Sequence, residues 1–399
     1  MSVMILAAVG VLATIATQVE MRAGETPPPG EVLVVALEGV TIGFPAGVPG
    51  AVGPVVQPTL VGWDRIRTVA PPNDAAAQPF RTLADKAWRA RTRVERNDLA
   101  EAEPLLEELH ATYAGLSGPT AAMVGQSLLR CRLARGAQTL AIAPWLTWLG
   151  SGVVETSAPA PRHAKDEPEP VVLAASPVTL DPATGLVPAL APVWLDGPGV
   201  QAFARGKPPV PPRSGTDLSA TQKKAAALST LYWQAARVEC GLDPGPIESG
   251  ADDVGLSLVQ QIVLARAGDA AQREQARGQL RTRLKARPEP WIEAWCRAGV
   301  GRSLLREDSV ELRRLGVIEL LHIPARLQEQ CPFVTGVALA DAAVALNKLG
   351  DRAGADKLRT ELRENYAGHP ALDWAPIIAW PASSPASPAP VPSPTPGPT

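Results

Sequence analysis

One stretch of this chain is written twice. NDLAEAEPLLEELHATYAG (97–115) lies over GDRAGADKLRTELRENYAG (350–368) without a gap. Asp98, Ala100, Ala102, Glu108, Leu109, Tyr113, Ala114 and Gly115 fall on Asp351, Ala353, Ala355, Glu361, Leu362, Tyr366, Ala367 and Gly368. Apolar residues at helical spacing predict a helix in each copy, ended by Gly115 and Gly368. Ala90 and Ala343 stand seven residues ahead of the two turns, so the preceding helices match as well. A single helix pair cannot bury its apolar face alone, so a chain that repeats one is driven to stack such pairs.

These residues resemble the tetratricopeptide (TPR) family of helix-turn-helix repeats. In that family a small residue on the first helix meets one on the second, roles that Ala90 with Ala102 and Ala343 with Ala355 match. An aromatic near the end of the second helix packs on the next pair, as Tyr113 and Tyr366 would, beside Leu109 and Leu362. The family's Gly-Asp turn stands at Gly350-Asp351 and, modified, at Asn97-Asp98. Looser versions follow Gly136, with Ala141 five residues on, and Gly268-Asp269, where the small residue Ala276 comes late. Trp295, Ala298 and Gly299 in WIEAWCRAGVGRSLL match a first helix, followed by a longer turn. The resemblance implies a mainly α chain of stacked TPR-like helical hairpins, an α-solenoid, whose surface takes a protein or peptide partner.

Local signals refine this. Leu83, Ala87, Ala90 and Val94 make one stripe of a helix over FRTLADKAWRARTRVER, and Asp98 with Glu101 reads as a capping box for the next. Pro104 and Pro144 require that their helices begin near them or kink.

The rest divides by composition. Residues 3–16 are an apolar run short of the roughly 20 that a membrane span needs, with Thr14 and Ala16 at signal-peptidase spacing. Residues 1–16 therefore read as a signal peptide, with no stable membrane span after processing. No basic residue precedes the run, which leaves an uncleaved anchor or a buried strand open. Residues 17–70 carry β-branched runs and read as a small antiparallel β module, with ALEGV as a tight turn and 45–55 as a loop. The "GxV…GV.I" hairpin and the closing WDRIRTV resemble the SH3-like or Sm-like barrels of exported bacterial proteins. Helical pairs are expected over 79–150 and 217–380. A Pro-rich arm, 151–216, interrupts them, its middle VTLDPATGLVPALAPVWL apolar enough to pack and its 157–169 part disordered. Trp374 and Trp380 are expected to cap the last pair. Residues 381–399, PASSPASPAPVPSPTPGPT, form a disordered tail.

No residue of the chain stands out as catalytic, metal-binding or cofactor-binding. There is no G-x-S-x-G elbow, no H-E-x-x-H and no calcium loop. His110, His163, His322 and His369 are scattered, and His322 reads as complementing a helix C-terminus. Asp252-Asp253 reads as helix N-terminal charge. Cys131, Cys240, Cys296 and Cys331 form no C-x-x-C pair and read as buried thiols, with Cys240–Cys331 the pair that would bridge in an exported chain. Trp88, Trp145, Trp148, Trp233 and Trp295 fall in helical core patterns. Trp291 and Trp295 are four apart and share a helix face that reads as core, with carbohydrate stacking there as the alternative. Arginines over 89–96 and 273–287 make solvated basic faces. The net charge of −2 gives no reason to expect nucleic acid. The chain thus reads as an exported, periplasmic or extracellular, non-enzymatic scaffold or interaction module of the envelope. A hydrolase or lyase with its site between the β module and the 151–216 arm is the alternative, and a tail acting as spacer or tether a third reading.

Overall fold

A computed structural model describes residues 18–44, 57–153, 178–209, 218–248 and 250–379. The expected leader 1–16, the loop 45–55, the 157–169 part of the arm and the tail 381–399 lie outside them. The chain divides into two compact units. The first holds Met1–Pro192, Phe203–Gln234 and Pro244–Gln260; the second holds Val193–Ala202, Ala235–Asp243 and Gln261–Thr399. The fold is mainly helical behind a small N-terminal antiparallel sheet region.

In the first unit the strands are β1 (Val19–Met21), β2 (Glu31–Ala36), β3 (Gly39–Gly43), β4 (Thr59–Val61) and β5 (Ile66–Val69). β1 pairs antiparallel with β5, and β2-β3-β4 form a second antiparallel sheet. The turn between β2 and β3 is Leu37-Glu38, inside ALEGV. Alternation sends Val40, Ile42 and Val61 inward, where they meet Trp63, Ile66 and two helical alanines, Ala77 and Ala84. The β module thus shares its core with α1 (Asp74–Ala77) and α2 (Arg81–Glu95).

α2 pairs with α3 (Leu99–Tyr113), and α4 (Pro119–Ala134) with α5 (Gln138–Gly150); α3 and α2 both pack on α4. α6 (Pro198–Arg205), α7 (Ala220–Glu239) and α8 (Val254–Ala267) each carry residues of both units. In the second unit α9 (Ala270–Lys285) packs on α10 (Pro290–Leu304), α10 on α11 (Val310–Leu327), α11 on α12 (Pro332–Lys348) and α12 on α13 (Arg352–Asn365). The helical hairpins therefore stack in chain order within each unit.

Three hairpin turns close the same way. Asn97, Gly136 and Gly350 have φ of 61°, 74° and 88°. The residue after each donates to the carbonyl five residues back: Asp98 to Arg93 at 2.9 Å, Ala137 to Arg132 at 2.8 Å and Asp351 to Leu346 at 3.0 Å. That is the Schellman closure, which satisfies a terminal carbonyl and needs a left-handed residue. The two copies differ at the cap. Asp351 accepts from Gly354 N at 2.9 Å, whereas the Asp98 carboxylate turns to Arg93 at 2.6 Å and makes no capping bond, so no capping box forms there. The full box stands at Asp269 and Gln272.

Pro104, Pro144 and Pro324 lie inside α3, α5 and α11, whose first residues are well ahead of them. Each leaves one carbonyl a turn earlier without its usual donor. After α13 the described residues close with a single 3₁₀ turn, Pro370–Asp373, and α14 (Ala375–Ile378). Ala371 and Ile377 are buried there and Trp374 is half-buried, while Trp380 lies outside the described residues.

Candidate functional site

The repeat positions form the core rather than a surface. Ala90, Ala102, Leu109 and Tyr113 are fully buried in one cluster with Leu106, Val124 and Leu128. Ala343, Ala355, Leu362 and Tyr366 are buried in the second unit. Small residues let helices touch: a Cβ on Gly125 would stand 2.7 Å from Pro144 O, and one on Gly301 2.9 Å from Gly316 O. Each buried Leu contributes about 1.5–3 kcal/mol.

Against that core the ionisable groups gather at two places. In the second unit Glu239 at the end of α7, Arg266 of α8, Arg302 of α10 and Asp341 of α12 converge. Arg266 Nε lies 2.8 Å from Glu239 Oε1, Arg302 Nη2 3.1 Å from Glu239 Oε2, and Arg302 Nε 2.8 Å from Asp341 Oδ2. Arg302 Nη2 also donates to Trp194 O at 2.7 Å. Burial pushes the Glu239 carboxyl up, but Arg266 and Arg302 outweigh it and hold it below its usual range. Asp341 goes the other way: burial raises it, Arg302 and Arg266 only partly offset that, and the Glu239 charge adds to it. One carboxylate of the pair therefore holds the charge in preference to the other.

In the first unit Arg91 Nη1 lies 3.0 Å from the buried Asp64 Oδ2, and its Nε 2.8 Å from Glu95 Oε1. Glu25 reaches Arg65 at 2.6 Å and Arg91 at 3.6 Å. Burial raises the Asp64 carboxyl against the opposing pull of Arg91. Both clusters join segments distant in sequence, and removing one partner of such a buried pair leaves an uncompensated charge.

The remaining candidates fall into place singly. His110 Nε2 meets Thr147 Oγ1 at 2.9 Å, and burial, with Arg132 nearby, pulls its pKa down to about 4. His369 Nε2 meets Phe333 O at 2.9 Å, its ring sits where a side chain on Gly336 would be, and burial lowers it to about 4. His322 lies five residues before the end of α11, so it does not complement that terminus. His163 lies outside the described residues. All four cysteines are free, so Cys240 and Cys331 do not bridge, and burial lifts Cys131, Cys296 and Cys331 to about 12. A thiol held protonated in that way is a poor nucleophile.

Several expectations are corrected. Trp88 is 37% exposed, with the Arg22 guanidinium 4.8 Å over its ring, and Trp233 is half-buried with Nε1 donating to Gly206 O. Trp291 and Trp295 are buried edge to face, centroids 5.0 Å apart, leaving no open face for a sugar. Arg277 is not solvated: it is 4% exposed, joined to Glu274 and Glu307 and donating to Ser303 Oγ at 3.1 Å. Asp253 does head a helix, accepting from Leu256 N at 2.9 Å and meeting Lys224 at 2.7 Å.

Sequence reasoning passed over Asp64, Glu239, Arg302 and Asp341. A signal was there, since Arg302 and Asp341 are lone charges inside apolar runs, GVGRSLL and VALADAAVAL. The described part of the arm packs on α5 and α7: Trp145 Nε1 donates to Gly185 O at 3.2 Å and Tyr232 Oη to Leu190 O. Among the described residues no group of three or more His, Cys, Asp or Glu is arranged to hold a metal ion, and no helix is long and apolar enough to cross a membrane. Comparison with protein-family models, with curated proteins and with solved structures finds no match to this chain.

Proposed function

We propose that this chain is a non-enzymatic helical-repeat scaffold, a TPR-like protein- or peptide-interaction module exported to the cell envelope. The observation that carries the reading is the repeated hairpin: left-handed turns at Asn97, Gly136 and Gly350, with the small pairs Ala90/Ala102 and Ala343/Ala355 buried beside two of them. Stacked pairs of this build present long helical surfaces to partners, an inference by architecture. The buried charges support it as well, since Arg302 and Arg91 are engaged in holding elements together. The apolar run 3–16 supports export.

The test is reconstitution. A photo-crosslinking residue placed at exposed Leu140 or Ile318 captures a neighbour in the native envelope, and the complex is rebuilt from two purified proteins. The expected result is a stoichiometric complex from an exported chain. A cytoplasmic location, or no complex that re-forms from pure components, counts against the reading. A turnover activity that disappears in folded Asp64→Asn would replace it with an enzymatic one.

A further inference from the structure

The sheet of the first unit offers a surface that the helical reading does not use. Register aligns Val34, Thr41 and Leu60 in one row across β2, β3 and β4. Their neighbours Val35, Val40 and Val61 point into the core, so this row faces outward. Val34 is 54% exposed and Leu60 38%. Leu33, the extra residue of a bulge in β2, is exposed beside them, its Cδ1 3.2 Å from where a side chain on Gly43 would begin. Exposed Phe44 follows Gly43. A row of aliphatic side chains left to solvent on one sheet face marks an interaction surface.

The charge pattern says what fits it. Over 31–44 and 57–61 the charged residues are Glu31 and Glu38, both acidic. Glu31 pairs with Gly43 and so stands on the outward side at one end of β2. Glu38 is in the turn at the other end, with Glu38 Cβ and Leu60 Cδ2 both beside Gly118. Neither glutamate makes an ion pair among the described residues. The two are roughly 20 Å apart along an extended strand.

We propose that the outer face of β2-β3-β4 binds an extended apolar segment of a partner protein that carries a basic residue at each end, about six residues apart. The face is offered rather than the edge, because Val32 N–H at the free edge of β2 already donates to Gln18 Oε1 at 2.9 Å. A second copy of this chain is disfavoured as occupant, since face-to-face pairing sets glutamate against glutamate. The proposal rests on the interaction-module reading but stands on the sheet alone.

The experiment uses two labelled peptides, Lys-Thr-Val-Thr-Val-Thr-Lys, whose lysines and valines share one face when extended, and its Glu-ended counterpart, titrated against the whole chain by fluorescence anisotropy. The Lys-ended peptide is expected to bind at least tenfold more tightly at low salt, with the gap closing as salt rises. Glu31→Lys with Glu38→Lys should reverse the order, and Val34→Thr with Leu60→Thr should abolish both, with circular dichroism unchanged. Equal binding of the two peptides, no saturable binding by either, or self-association that Val34→Thr removes overturns the proposal. Any of these leaves the reconstitution test on the helical faces untouched, so the two readings fail separately.

Discussion

Arg302 Nε stands 2.8 Å from Asp341 Oδ2, with the two side chains only 4% and 8% exposed. Breaking such a pair from one side leaves a buried charge uncompensated, at a cost of about 3–5 kcal/mol. Arg302→Met is therefore expected to lower the unfolding free energy by about that amount, because Asp341 loses its partner and Glu239 loses one of two. Arg302→Met with Asp341→Leu should recover most of the loss, since Arg266 still meets Glu239. Chemical denaturation of the three proteins checks this, and a double variant no more stable than the single one sinks it.

The two repeat copies should respond differently at their equivalent aspartates. Asp351 caps α13 through Gly354 N, so Asp351→Ala is expected to cost about 1 kcal/mol. Asp98 holds Arg93 at a half-exposed site instead, where an ion pair contributes roughly 0–1 kcal/mol, so Asp98→Ala should cost less. Thermal unfolding of both variants measures the difference. Equal losses would mean that the Asp98 carboxylate caps α3 in solution.

Acid should weaken the fold through two histidines. His110 and His369 have folded pKa values of about 4 against 6.5, so between those limits the unfolded chain binds more protons. Their stabilisation is complete above pH 6.5 and is lost as pH falls toward 4, each withholding on the order of 2 kcal/mol by pH 5. Asp64 and Asp341 oppose this, because their raised pKa values favour the folded state as pH falls. The histidine share is isolated by comparing His110→Gln and His369→Gln with the parent at pH 7.5 and 5. Each variant should show a shallower loss; an unchanged slope removes that histidine from the account.

The fold was legible where sequence carries period and punctuation. Self-alignment located the helix pairs because Asn97, Gly136 and Gly350 mark turns that only a left-handed residue closes. The strands were legible because β-branched and short apolar runs broken by glycine, as in GEVLVVALEGVTIGF and PTLVGWDRIRTV, cover them. The capping box at Asp98 was misread because a nearby Arg93 competes for the same carboxylate, which spacing along the chain does not reveal. The ion clusters were legible only as lone charges, Arg302 and Asp341 inside apolar runs, and not as partners, since Glu239, Arg302 and Asp341 meet only after helices far apart in sequence have packed. Exposure of Trp88 was missed for a related reason: it lies on α2 between the core-facing Ala87 and the solvent, and its partner Arg22 comes from the strand region.

The docked arm yields the last prediction. Thr184 crosses α8 at Gly255 so closely that a Cβ there would lie 2.0 Å from Thr184 O. That neighbour is backbone, so no rotamer change relieves the clash and the segment must shift. Asp181 holds the local turn, accepting from Thr184 N at 2.7 Å, while Trp145 anchors Gly185 from the other side. Gly255→Ala is therefore expected to loosen residues 181–190 from α5 and α7 and to speed their amide exchange by about tenfold or more, a local opening rather than global unfolding. Gly278→Ala on α9 is the control, because nothing lies within 4 Å of its Cβ position and alanine favours a helix over glycine by about 1 kcal/mol. Exchange at 181–190 that stays slow in Gly255→Ala, with the rest of the chain unaffected, would show that the arm does not need this close approach to stay docked.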